Sequence, residues 1–257
     1  MNGAFYVGAI GLQSQQRALD IIAGNIANIN TPAFKRSEVR FSEVLASHAD
    51  ADVPRADLAE MPLDSAGVLA EATPMIDEAG PLEVTGHPLD VAIEGAGFIE
   101  LMGPEGQTLL WRGGTLKVGD DGMLATATGI PLKAAITVPD DATAITIGND
   151  GVVRAQSGAA TTAIELGQIS LVKASDMTAL RQLDGGLYRV DDGAHLTDAK
   201  PGEDGTGMLV QGSIERSNVE MNSEMVQLML VQRAYGANAQ VLQAADQLMG
   251  IANGLRR

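Results

Sequence analysis

The side chains best suited to chemistry are few and scattered. His48, His87 and His195 lie far apart, and none has a second histidine three or four residues away, the spacing that places two ligands on one helix face. Cysteine is absent, which excludes thiolate nucleophiles, disulfides and cysteine-held metals. Gly95-Ala96-Gly97 precedes Phe98 inside β-patterned sequence and opens no helix, so it lacks the strand–turn–helix context of a dinucleotide loop. The Asp-Gly pairs do not fall at the intervals of a calcium loop and read as hairpin turns. The acid pairs Asp120-Asp121 and Asp140-Asp141 sit in the same turns and read as solvated. No catalytic, cofactor-binding or metal-ligating residue is assigned, no cofactor is expected, and the chain is read as a non-enzyme.

With 257 residues the chain has enough length for a real core in one or two domains. One Trp, three Tyr and four Phe leave interior volume mainly to Ala, Val, Ile, Leu and eleven Met. The net charge of −16 argues against nucleic acid, whose phosphates need clustered Lys and Arg, and is read as a solubility feature. The opening residues lack a basic, then apolar, leader pattern, so no cleaved signal peptide is expected. No run of about 18 apolar residues predicts membrane insertion.

The elements are clearest at the two ends. Residues 4–28 read as a helix with a 4-3 seam of Phe5, Ala9, Leu12, Gln16, Leu19, Ala23 and Ile26, flanked by Ala18, Ile22 and Ile29. It stops at Asn28-Ile29-Asn30-Thr31-Pro32, and a short helix or extended piece follows over 37–45. A second helix is predicted over 217–254, with Ser217 as N-cap and Glu220 reaching back in a capping box. One of its seams runs Met221, Met225, Leu228, Gln232, Tyr235, Ala239, Leu242, Asp246 and Met249. Another runs Val226, Leu230, Ala237, Val241, Ala244, Leu248, Ile251 and Leu255. Two adjacent seams imply more than one partner surface, and a helix of this length, about 55 Å, exceeds what a small β-domain covers. Gly236 inside it marks either a close helix–helix approach or a tolerated weak point.

Between the helices, residues 47–80 form an acidic, proline-broken connector, with eight acids against Arg55. Residues 81–210 read as short strands, among them 89–93, 98–101, 135–138, 144–147 and 169–172. Asp-Gly turns at 121, 150, 184, 192 and 204 separate them, with a helical turn over 175–182. The division is therefore an N-terminal assembly helix and turn motif (1–46), the connector (47–80), a β-domain (81–210) and a C-terminal assembly helix (211–257). The fold class expected is α+β: long N- and C-terminal helices forming a coiled-coil-like core, with an inserted antiparallel all-β domain of barrel or sandwich type.

Two motifs identify a family. Asn25-Ile26-Ala27-Asn28-Ile29-Asn30-Thr31-Pro32-Ala33-Phe34-Lys35 resembles the N-terminal signature of the bacterial flagellar axial proteins, the rod and hook proteins of the basal body. Ser217-Asn218-Val219, with Met225 and Gln232-Arg233-Ala234-Tyr235 beyond it, resembles the C-terminal signature. The stretches 86–95, 97–98, 135–139 and 145–151 are similar to the family's β-domain, the latter two and Phe34-Lys35-Arg36-Ser37 to its distal-rod branch in particular. The proximal-rod branch is the nearest competitor. The chain departs from the family at Ala33, where Gly is usual and a left-handed turn comes into question, at Gly236, where Glu is common, and at Trp111 and Leu116.

The resemblance implies a structural subunit exported unfolded through the flagellar type III apparatus. It would polymerise with its own kind into the drive shaft that carries torque from motor to hook across the periplasm. Proximal rod proteins, the hook protein and the periplasmic and outer-membrane rings would be its neighbours. The assembly residues it points to are Leu12, Leu19, Asn25, Ile26, Asn28, Asn30, Thr31, Phe34 and Lys35 at one end. At the other they are Ser217, Asn218, Val219, Met225, Leu228, Gln232, Arg233, Tyr235, Leu242 and Met249. The rival from another class is a secreted β-rich glycan-binding module, which needs aromatics or paired carboxylates in a cleft of the β-domain; a soluble coiled-coil adaptor leaves the match at both ends unexplained.

Overall fold

A computed structural model of the chain describes residues 2–45, 66–104, 106–157, 163–190, 195–203 and 205–254. Among these residues there are two α-helices and seventeen strands. They form two compact units. One comprises Met1–Ala27, Ser37–Thr73 and Glu220–Arg257; the other comprises Asn28–Arg36 and Pro74–Val219.

In the first unit, α1 (Asn2–Ala27) packs along α2 (Met221–Gly254). The face of α1 turned inward is not the Leu12–Leu19–Ile26 seam but its neighbour. Ser14, Ala18, Ile22 and Asn25 are buried, whereas Leu12, Leu19 and Ile26 are half-buried and Ala9, Gln16 and Ala23 exposed. Small residues explain the rotation. A Cβ on Gly8 would stand 2.7 Å from Leu242 Cδ2, and one on Gly11 would stand 3.5 Å from Asn238 Nδ2, so the helices come close where α1 has least bulk. Gly236 plays no such part, since nothing lies within 4 Å of where its Cβ would be. Strands β1 (Ser37–Leu45) and β2 (Ala66–Pro74) pair as a two-stranded sheet, so the piece after the N-terminal motif is a strand rather than a helix, and the far end of the acidic stretch is strand as well.

The second unit is antiparallel β. Its largest sheet runs β13 (Leu180–Gln182), β14 (Leu187–Val190), β6 (Thr108–Trp111), β5 (Phe98–Met102), β12 (Leu171–Ala174) and β15 (Leu196–Ala199). A four-stranded sheet runs β16 (Met208–Gln211), β4 (Asp90–Glu94), β7 (Gly113–Val118) and β8 (Leu124–Thr126). A three-stranded sheet of β11 (Ile164–Gln168), β10 (Val152–Ser157) and β9 (Ala142–Ile147) and a pair of β17 (Ser213–Glu215) with β3 (Leu82–Val84) complete it.

Period-two alternation sorts the large sheet's side chains into two cores. Ile99, Leu101, Leu109, Trp111 and Leu171 are in register with one another and join one buried cluster. Phe98, Leu110, Val172 and Tyr188, one residue out of phase, form the other with Ile76, Ala174 and Leu180. Both faces are covered, which is why Leu109-Leu110-Trp111 is an unbroken apolar run. Four of the five Asp-Gly turns hold their glycines left-handed, Gly122, Gly151, Gly185 and Gly205 having φ of 75°, 83°, 74° and 74°; the fifth, Asp192-Gly193, lies outside the described residues. Residues 135–138 make only an isolated bridge, Met123 to Thr137, because Ala135 at φ 48° turns the chain, although Ile136 and Val138 are buried. The helical turn expected at 175–182 is a single 3-10 turn, Met177–Ala179.

The expected coiled-coil-like helical core is therefore corrected. Both hydrophobic core clusters consist of residues of the β unit, and strand dominates over helix among the described residues. The physical reason is the same run of small residues on α1. It lets two backbones approach and leaves no layer of interlocking large side chains of the kind that a coiled coil needs. The molecule is a predominantly antiparallel β protein whose two chain ends form a helix pair.

Candidate functional site

The N-terminal motif is divided between the units. Asn25, on the last turn of α1, is 1% exposed. Its Nδ2 donates to the Ser37 carbonyl at 2.9 Å and to Glu224 Oε2 at 3.1 Å, and its Oδ1 accepts from Ser37 N at 2.9 Å. One amide thus binds the end of α1, the start of β1 and the first turn of α2. Glu224 is itself fully buried.

Asn28–Arg36 belongs to the β unit. Thr31 Oγ1 donates to Asn28 Oδ1 at 3.0 Å, and Thr31 N to the Asn28 carbonyl at 3.1 Å, closing the turn that ends the helix. Ala33 is fully buried with φ 56°, so the turn is left-handed although the residue is not glycine. The cost is about 1–2 kcal/mol. Its N–H donates to the Glu215 carbonyl at 2.8 Å, and Gly186 stands close opposite it, a Cβ there falling 3.1 Å from that of Ala33.

Lys35 leads to the most polar spot in the interior. Lys35 and Glu215 have no exposed side-chain surface, and their Nζ and Oε1 are 2.5 Å apart. Lys35 Nζ also donates to the Glu78 carbonyl at 2.6 Å, and Gly80 N donates to Glu215 Oε1 at 2.8 Å. The other carboxylate oxygen, Oε2, accepts from Arg112 Nε at 3.3 Å and Nη2 at 3.2 Å. Arg112 is capped in turn by the carbonyls of Gly97, at 2.7 Å from Nη1, and Gly95, at 2.9 Å from Nη2, and lies 5.7 Å from the centre of the Phe98 ring. The two glycines that superficially suggest a phosphate loop thus cradle a guanidinium. Their φ values of 118° and 127° are what only glycine supplies freely.

Burial pulls the Lys35 ammonium below the ordinary lysine value, against the attraction of Glu215, while Arg112 adds to the depression. Tyr188 packs edge-on against Phe98, with ring centres 5.4 Å apart. Its hydroxyl is buried with no hydrogen-bond partner among the described residues, and desolvation pushes its pKa well above the usual tyrosine range.

The C-terminal motif closes the same region. Ser217 does not cap α2, which begins at Met221; its Oγ accepts from Val219 N at 3.3 Å, in a local turn. Asn218 Oδ1 accepts from Arg36 N at 2.7 Å, while its Nδ2 donates to the carbonyls of Glu78 at 3.1 Å and Met75 at 3.4 Å. Ser217 and Val219 are 7% exposed. These bonds, at positions far apart in sequence, displace the expected capping box.

The remaining assembly residues lie on the surface. Asn28, Thr31 and Phe34 are half-buried and Asn30 is exposed. On α2, Leu228 and Leu242 are half-buried, whereas Met225, Gln232, Arg233 and Tyr235 are exposed; Met249 lies in the helix, its side chain outside the described residues. The second seam faces outward at each described position: Val226, Leu230, Val241 and Ile251 are 52%, 59%, 68% and 61% exposed. Only Glu224, Arg233 and Asp246 carry charge along the 34 residues of α2. Glu215 escaped sequence reasoning because Ser-Ile-Glu carries no local signal. A signal existed in its partners, since Lys35 and Arg112 each follow apolar residues, and a cation in an apolar run calls for a buried acid.

Profiles of three families cover this layout. One described as "Flagella basal body rod protein" matches residues 5–35, the "Flagellar hook protein FlgE/F/G D1 domain" matches 92–155, and the "Flagellar basal body rod FlgEFG protein C-terminal" matches 210–255. The flagellar basal-body rod protein FlgG of Borreliella burgdorferi is 33% identical over the whole of both chains. The chain belongs to the flagellar basal-body rod family. A FlgG of Agrobacterium fabrum is 34% identical over 96% of this chain and 97% of its own, and a FlgF of Caulobacter vibrioides is 31% identical over 96% and 95%. As a member of that family the chain is a structural subunit of the flagellar basal-body rod, not an enzyme, and assembles with other rod and hook components. The three aromatics of 81–210, Phe98, Trp111 and Tyr188, are all buried, which leaves the glycan-binding alternative without a platform among them.

Proposed function

We propose that this rod subunit is of the distal-rod type and joins sister copies through the outward apolar faces of α1 and α2. The observation that carries this is α2 itself, which exposes Met225, Val226, Met229, Leu230, Val241 and Ile251 along a helix almost free of charge. An exposed apolar surface of this kind marks a contact still to be made. Burying it is worth about 25 cal/mol per Å². A head-to-tail contact that does not close on itself produces a helical filament. In this reading the subunit leaves the cell interior through the flagellar export apparatus. It then takes its place between proximal rod and hook, within the periplasmic and outer-membrane rings, and its termini gain full order only in the filament.

The test is association of the purified chain. Sedimentation velocity at rising concentration should show a threshold above which polymer forms, and Leu230→Glu with Val241→Glu should abolish it while leaving the monomer's circular dichroism unchanged. Hydrogen exchange on the dilute monomer should find α1 and α2 weakly protected and the β unit strongly protected. A chain that stays monomeric at every concentration, with fully protected ends, rules the reading out. The FlgF likeness favours proximal rod as the second reading. Restoration of motility in a strain lacking its distal-rod subunit, but not in one lacking a proximal subunit, separates the two.

A further inference from the structure

Met221, Met225 and Met229 stand four residues apart on α2, so their thioethers form a row along one flank of the helix. They are 40%, 48% and 51% exposed. The other described methionines with comparable exposure are single and lie in the β unit: Met102 on β5, at 50%, and Met208 on β16, at 49%. A thioether fits irregular apolar surface well because it is flexible and polarisable, and the same exposed sulfur is a nucleophile toward peroxides.

We propose that this row is an oxidation site, and that converting Met221, Met225 and Met229 to methionine sulfoxide blocks self-association of α2. The inference rests on the assembly reading above. In the chemical step the sulfur lone pair attacks one oxygen of hydrogen peroxide and the O–O bond breaks. That oxygen stays on sulfur as S=O, and water leaves; sulfur loses the two electrons that the peroxide gains. Each sulfoxide is a strong acceptor with no proton to donate. In a head-to-tail contact an oxidised row meets a different, apolar face of the sister copy that offers it no donor, and burying it there leaves polar oxygens unpaired. Thiol-dependent sulfoxide reductases, one for each sulfur epimer, restore the thioether and with it the contact. Oxidation at Met102 or Met208 leaves the helix face untouched.

The experiment uses the full chain, with and without hydrogen peroxide. Peptide mass spectrometry locates the sulfoxides and sedimentation velocity gives the association threshold. Oxygen should appear at all three positions, and the threshold should rise by about tenfold or more, as for burial of unpaired polar groups. The variant M221L/M225L/M229L should associate at the untreated threshold before and after peroxide, although Met102 and Met208 oxidise in both proteins. Methionine sulfoxide reductases with dithiothreitol should bring the oxidised wild type back. Oxidised wild type associating at the untreated threshold, or the leucine variant losing association to the same extent, overturns the proposal. An untreated chain that never associates overturns the assembly reading and takes this one with it.

Discussion

The helix pair and the β unit solve opposite problems. The β unit buries its largest side chains, Tyr188, Phe98, Leu110 and Trp111, and encloses even two cations around one carboxylate. Among the described side chains, the helix pair buries little beyond Ser14, Ala18, Ile22, Asn25 and Glu224 and turns Leu230, Val241 and Ile251 outward. Little of the chain's acidity lies on the helices themselves. α1 and α2 together carry Arg17, Asp20, Glu224, Arg233 and Asp246, so nearly all of the net −16 lies elsewhere. The β unit closes its own core, whereas the two helices, with little net charge of their own, leave apolar surface uncovered.

The contrast breaks most sharply at Glu215. Replacing it by Ala strands the Lys35 and Arg112 charges in the interior, and the β unit should lose about 3–5 kcal/mol of stability, measured by urea denaturation. Asn25→Ala comes next. It removes three hydrogen bonds and leaves the buried Glu224 short of a donor, so about 2–3 kcal/mol should go. Hydrogen exchange on the assembled polymer should place that loss in the helix pair, with the β-unit amides unchanged.

Tyr188→Phe should stabilise the β unit by about 1 kcal/mol at neutral pH, because a buried hydroxyl without a partner is deleted. It also changes the alkaline limb. The native hydroxyl keeps its proton while the unfolded tyrosine ionises from about pH 10, so above that pH the native state holds more protons and wild-type stability falls as pH rises. The phenylalanine variant should lose this decline. Lys35 acts in the opposite sense: its depressed native pKa means that the unfolded chain holds more protons just below the ordinary lysine value, so its burial penalty is relieved as pH climbs. The difference between the two proteins isolates Tyr188. The smallest effect is expected at Gly236→Ala, which adds a methyl in open space within a helix and should stabilise α2 by about 0.5–1 kcal/mol, seen as a small gain in helical circular dichroism.

How far the sequence revealed this depends on the range of the forces involved. Asp-Gly turns and the alternation of Phe98, Ile99 and Leu101 are local, and the four such turns among the described residues appear where expected. Helix existence at both ends was legible as well, because apolar periodicity over many turns is a strong signal. Which face turns inward was not. Large residues mark a seam in a linear pattern, yet Gly8, Gly11 and Ala18 win in space because backbones come closest where side chains are smallest. Ser217 has the composition of a cap and is spent on Val219 instead. Ala33 holds a conformation that its residue type disfavours, imposed by the Glu215 carbonyl and the space beside Gly186. In the site, Lys35 and Arg112 stood inside legible motifs, but their common acid lies 180 and 103 residues away, and no window of sequence contains both ends of such a bond.

That distance has a consequence for how the molecule is completed. Glu215 and Asn218 hold Ala33, Lys35, Arg36, Met75, Glu78, Gly80 and Arg112, all of which come earlier in the chain. A polypeptide leaving a narrow exit with its amino end foremost has every one of those groups outside, and their bonds to Glu215 and Asn218 unmade, until residue 218 follows. The clasp comes last. In a chain that emerges in this order, the buried charge cluster is completed only near its carboxyl end.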